Sequence, residues 1–161
     1  MKIILFSLFT FCFWSSGYCQ QLSIDYFERS CTNSQPDINN ELSKNGFSPD
    51  SDIVLPNYHK FSFESVKANE RVEWKTITDK VVTKSIIIHY YLPLKNNYKN
   101  FKQKIKKSKY KRQSSKLYRF SSDSYSHQSF SFNDEILFNN KKYYLITFTH
   151  YEGKELSMPE K

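Results

Sequence analysis

Nine of the eighteen residues from Lys95 to Arg112, KNNYKNFKQKIKKSKYKR, are basic and none is acidic. Ammonium and guanidinium groups at this density attract carboxylates, phosphates and sulfates, and the attraction weakens as salt screens it. The run comprises Lys95, Lys99, Lys102, Lys104, Lys106, Lys107, Lys109, Lys111 and Arg112, and Lys116 and Arg119 continue it. These eleven are the candidate polyanion- or partner-binding residues. Tyr110, Tyr118 and Phe120 interleave with them, as aromatic and basic residues do in nucleic-acid binders. The plainer reading is a solvated helix face. Against it stands the absence of any acid between Asp79 and Asp123, because an ordinary surface helix mixes signs to form i,i+4 pairs.

Catalytic chemistry finds less to work with. His59, His89, His127 and His150 include no two at metal-ligand spacing, and neither HExxH nor CxxC occurs. His89 and His150 fall in strand-like segments and could meet on one face, although hydrogen-bonded strand histidines are the expectation. Glu64 and Glu73 could be cross-strand neighbours. Acid–base work would need one of them desolvated. Their alternation with Lys60, Arg71 and Lys75 instead predicts solvated surface pairing. GxSxG, GxGxxG and the phosphate-binding P-loop pattern are absent, and beyond residue 19 the chain has two glycines, Gly46 and Gly153, from which to build a phosphate cradle. No catalytic residue, metal or cofactor is predicted.

The elements that must carry these residues follow from hydrophobic spacing. Ser23 suits an N-cap, Asp25 the first turn, and Ile24, Phe27 and Cys31 the buried stripe of a short helix. Pro36 suits the first turn of a second helix, with Ile38 and Leu42 four apart and Gly46 as its stop. Residues 48–56 read as loop. The period then becomes two: HKFSFESV sets Phe61 and Phe63 opposite Lys60, Ser62 and Glu64, and RVEWKTIT sets Val72 and Trp74 opposite Arg71, Glu73 and Lys75. TKSIIIHYYL is apolar on both faces, as a central strand is. Leu94, Tyr98, Phe101 and Ile105 then form one helical stripe, with lysines on the other faces. The strands KLYRF, HQSFSF, EILF and KYYLITFTHY follow, with turn signals at Asn133-Asp134 and Asn139-Asn140. Alternatively, Gln128 to Phe138 is one long strand with a bulge near Asp134. The expected class is α+β: an antiparallel sheet of about six strands with helices packed on one face. DINNELSKNGF and NFKQKIKKSKY occupy matching positions, a weak repeat consistent with two α-β-β-β units.

Met1-Lys2, an apolar run from Ile3 to Trp14, and small residues at Gly17 and Cys19 have the layout of a signal peptide cut before Gln20. Tyr18 stands where a lipoprotein signal has a small residue, which argues against a lipid anchor at Cys19. The expected organisation is a signal over 1–19, one domain over 20–151 and a polar tail over 152–161. Cys31 would then be the lone cysteine, unable to form an internal disulfide, and is expected as a small apolar side chain on a helix face. Charge is divided unevenly: residues 20–94 carry net −2 and residues 95–161 net +9.

The run DINNELSKNGF and the leader ending before Gln20-Gln21 resemble small exported proteins of Bacteroidota with no assigned function. The resemblance implies a periplasmic or secreted location and carries over no catalytic residue. Together these features predict an exported, non-enzymatic binding module, of inhibitor or immunity type, that presents a basic helix to an acidic protein. The alternative is an envelope protein that binds an anionic lipid or glycan surface, with peripheral membrane contact. A hydrolase ranks last. Export turns the expectation away from nucleic acid.

Overall fold

The computed structural model describes residues 22–79, 83–121 and 126–153. The expected signal peptide and most of the expected tail lie outside the described residues. Among the described residues, three helices, α1 (Ile24–Ser30), α2 (Gln35–Lys44) and α3 (Lys95–Lys106), accompany eight strands. These are β1 (Ser48–Leu55), β2 (Tyr58–Ser65), β3 (Glu70–Asp79), β4 (Thr83–Leu92), β5 (Lys111–Arg112), β6 (Leu117–Ser121), β7 (Ser126–Phe138) and β8 (Lys141–Glu152). All pair antiparallel in one sheet of order β1-β2-β3-β4-β8-β7-β6-β5. The fold is α+β.

The sheet has eight strands, not about six, and four strands rather than three follow each of α2 and α3, with α1 preceding the first set. The two additions are the outermost strands. Residues 48–55, read as loop, contain Pro49, Asp50 and Asp52, which are poor strand formers with no apolar alternation. An edge strand tolerates them because it pairs on one side only. Lys111–Arg112 is too short to show a period. Between Asn133 and Ile136 the β7–β8 register shifts, and Glu135 takes φ +29°. Thus β7 is the single long strand with a bulge. Asn139 and Asn140 both have positive φ and close a two-residue turn between the paired Phe138 and Lys141.

The helix ends follow local chemistry. Tyr26 N donates to Ser23 Oγ, so Ser23 caps α1. At the end of α2, Phe47 N donates to Leu42 O and Gly46 N to Ser43 O, with Gly46 at φ +79°. This double bond pattern satisfies carbonyls that the helix leaves open, and the φ it requires is strained for any side-chain-bearing residue.

The buried side chains of all three helices join one core with strand residues that share one face by register. Across the middle strands that face runs Val72, Tyr90, Ile146, Phe132, and one row over Trp74, Ile88, Phe148, Phe130. Phe27 of α1 lies at its centre. Its ring centroid is within 6 Å of those of Tyr90, Phe101, Phe130 and Phe148, which ties both halves together. Burying a ring of this size contributes roughly 2–3 kcal/mol by area, plus about 1 kcal/mol for favourable edge-to-face geometry. No helix among the described residues is long and apolar enough to cross a membrane.

Candidate functional site

Helix α3 is held chiefly by its apolar stripe. Tyr98, Phe101 and Ile105 are buried. Leu94 supplies no side-chain cap, and the first turn has Lys95 instead of an acid, against the helix dipole. Lys95–Lys99 and Lys102–Lys106 repel at i,i+4, each pair costing a few tenths of a kcal/mol. Packing against β4 and β8 offsets this.

Lys95, Lys99, Lys104, Lys106 and Lys107 are exposed on α3 and its C-terminal residue. Lys102 is half-buried, with Nζ 5.2 Å from the centroid of the Phe132 ring and 6.0 Å from that of Tyr98. Lys109, exposed, places Nζ 4.4 Å from the Phe120 centroid. Lys111 and Arg112 form β5, Lys116 precedes β6, and Arg119 lies on β6 opposite Lys111. All eleven cations thus fall on α3, its exit and the β5–β6 end of the sheet. Lys99, Lys102, Lys106 and Lys107 border one depression, of about 370 Å³. Lys109, Lys111 and Arg119 border another, of about 280 Å³, with Phe120 on its wall.

Among the described residues, a carboxylate reaches one of the eleven: Glu28 Oε2 lies 3.1 Å from Lys109 Nζ. The interleaved aromatics belong to the core instead of the surface. Tyr110 and Tyr118 are buried, and Phe120 packs partly buried against the core, its ring 6.0 Å from that of Tyr110. Of the three, Phe120 alone is half-buried, beside Lys109, Lys111 and Arg119.

The opposite face of the sheet shows how this chain neutralises charge elsewhere. Arg71, 8% exposed, has Nη1 2.5 Å from Glu64 Oε1 and 2.9 Å from Asp50 Oδ2, and its Nη2 donates to Ser62 Oγ at 3.0 Å. Glu73, 3% exposed, faces Lys60 at 3.2 Å and Lys75 at 3.6 Å and accepts from Tyr91 Oη at 3.1 Å. Three carboxylates balance three cations. The Arg71 guanidinium also lies over the Phe138 ring, 4.9 Å from its centroid. Burial pushes the Glu73 carboxyl up, but Lys60 and Lys75 outweigh it and hold it below its ordinary value. The Asp50 carboxyl is held low by the Ser62 hydroxyl and by Arg71. The expectation of solvated pairing at Glu73 is therefore overturned. Asp50 comes from the stretch read as loop and Phe138 from beyond the bulge, so the lattice closes through residues that sequence spacing could not bring together.

His89 and His150 do not meet. His89 shares its face with Glu73 and Thr147, whereas His150 pairs in register with Ile86 on the core face. His89 Nδ1 is 3.0 Å from Thr147 Oγ1. Burial, then Lys75, push its imidazole down to about 4. Glu73 adjoins it in register, but the carboxylate is already held by two lysines, Arg71 and Tyr91. Cys31 is buried, and its thiol is pushed up to about 12, chiefly by burial.

Compared with known proteins, the chain matches no family model, no curated protein and no solved structure.

Proposed function

We propose that the chain is an exported, non-enzymatic binding module, of inhibitor or immunity type, that presents α3 and the β5–β6 end of the sheet to an acidic protein. One observation carries this reading. Ten of the eleven cations there have no carboxylate within ion-pair distance among the described residues. The same chain pairs every cation of the Arg71 lattice. Packing of α3 offsets the like-charge repulsion, and the unpaired cations it leaves exposed suit charge brought from outside. Export rests on the leader at 1–19 and on the resemblance to small exported Bacteroidota proteins. With Tyr110 and Tyr118 buried, Phe120 is the one of the three interleaved rings left half-buried, which supports an acidic protein over a stacked nucleic acid.

A second reading keeps the same residues and changes the ligand to an anionic lipid or glycan surface. The depression bordered by Lys99, Lys102, Lys106 and Lys107 favours it, because an anionic headgroup could reach several ammonium groups there. Each lysine near such a surface contributes on the order of 1 kcal/mol. Sedimentation with anionic and zwitterionic vesicles, beside capture from envelope extract at low salt, separates the two. The acidic-protein reading predicts a salt-sensitive protein ligand and equal, weak partitioning to both vesicle types. Preferential sedimentation with anionic vesicles supports the second reading. Capture that does not change with salt contradicts both.

A further inference from the structure

The two edges of the sheet are built differently. β5 has two residues, Lys111 and Arg112, and charge and brevity of this kind discourage a further strand. β1 has eight, pairs among the described residues with β2 alone, and ends in three exposed apolar residues: Ile53 at 46%, Val54 at 70% and Leu55 at 57%. By register with Phe61 and Lys60, Val54 projects on the core face and Ile53 and Leu55 on the opposite one, so the strand is apolar on both sides of its free edge. Alternate residues of an edge strand turn unpaired N–H and C=O groups outward. Pro49 and the register shift between Pro49 and Ser51 guard the first half of the strand, and its acids are engaged, Asp50 with Arg71 and Asp52 with His59 at 2.6 Å, so the open stretch is residues 51–55.

We propose that β1 is a self-association edge: two copies of the chain pair β1 to β1, antiparallel about a two-fold axis, and continue the sheet from one protomer into the other. Three features specify a second copy as the occupant. Antiparallel pairing of a strand with itself is self-complementary. With the two-fold axis at Ile53, Val54 falls opposite Asp52 of the other copy and Leu55 opposite Ser51, so no acid of one copy faces an acid of the other. The half of the chain that carries β1 is the half without excess positive charge, net −2 over residues 20–94. Sheet order also places β5 seven strand spacings from β1, roughly 34 Å along the sheet, so the cationic ends of such a dimer stand roughly 70 Å apart. That is many times the screening length of about 8 Å at physiological salt. The competing arrangement, β1 of one copy on β5 of the next, would give open chains but finds only two residues of strand to pair with. The inference does not depend on the basic surface having a ligand.

Sedimentation velocity over a range of concentrations tests it, on the wild-type protein and on the variants V54K, L55K and K111E/R112E. Val54 and Leu55 are exposed, so their replacement leaves the core intact, and an unchanged circular dichroism spectrum checks this. The expected result is a monomer–dimer equilibrium that stops at two. V54K and L55K should each weaken it at least tenfold, about 1.4 kcal/mol, and K111E/R112E should leave it unchanged. A wild-type monomer at every concentration, a dimer indifferent to V54K and L55K, or association that continues past two and is lost in K111E/R112E would each overturn the proposal.

Discussion

Glu28 holds Lys109 and Tyr110 with its two carboxylate oxygens. Oε2 lies 3.1 Å from Lys109 Nζ, and Oε1 accepts from Tyr110 Oη at 2.9 Å. This contact pins the exit of α3 to α1 across more than eighty residues of sequence. It uses the one carboxylate that the described part of the molecule offers to the basic surface. The first prediction concerns it. E28Q keeps an acceptor for Tyr110 and frees Lys109, so denaturant unfolding should show a loss below about 1 kcal/mol, the range for exposed pairs. Elution from an anionic resin should move to higher salt. Elution at lower salt than wild type would show that Glu28 orders the surface for binding.

Arg71 is the residue whose loss should cost most. R71M leaves Asp50, Glu64 and the buried Glu73 without their shared cation, and breaking a buried pair in this way costs about 3 kcal/mol. The urea midpoint should fall with an unchanged slope. A midpoint within about 0.5 kcal/mol of wild type, the range of a surface substitution, would mean that the lattice is held by Lys60 and Lys75 alone.

Acid should weaken the fold in two stages. His89 has an ordinary value of 6.5, lowered to about 4 in the fold. Between those values the unfolded chain holds a proton that the folded chain excludes, so stability rises with pH through that window and is complete above it. Glu73 is held below its ordinary carboxyl value, so its contribution is present above that value and is lost as pH falls through the folded one. Replacing the imidazole in H89Q should flatten the slope of unfolding free energy between about pH 4 and 6.5 and leave the loss at lower pH. A slope in that window equal to wild type would assign it to other groups.

These predictions show which parts of the molecule were legible in sequence. Gly46 followed by Phe47 announced the end of α2, and the alternation of Phe61 with Phe63 and of Val72 with Trp74 gave the core face of β2 and β3. The Tyr98–Phe101–Ile105 stripe gave α3. In each case the determinant lies within a few residues of its effect. SPDSDIVL did not read as a strand, because an edge strand is specified by its partner β2 and not by its own alternation. The Arg71 lattice was hidden for a related reason. Its outer members, Asp50 and Phe138, lie 21 and 67 positions from Arg71 and reach it only through sheet register and the β7 bulge. Which lysines would be left without carboxylates depended on where α1 sets Glu28, again a long-range fact.

Cys31 offers a check on the core. Its thiol is buried against α1 and pushed up to about 12, chiefly by burial, so the reactive thiolate is scarce at neutral pH. An exposed-thiol reagent should label the folded protein only as fast as the protein opens, and label it completely in denaturant. Rapid labelling without denaturant would show that α1 detaches on its own.

The central claim is that the cations of α3 await an anionic partner, and one variant tests it. K99Q/K104Q/K106Q/K107Q removes four exposed charges, replaces them with residues of similar helix propensity, and touches no core side chain. The measurement is binding to the salt-sensitive envelope ligand, wild type beside variant, at low and at physiological salt, with thermal unfolding as the control. The account predicts that the variant unfolds at the wild-type temperature or slightly above it, because like-charge repulsion is relieved, and that its binding is lost. Equal binding by variant and wild type, unchanged by salt, would contradict it.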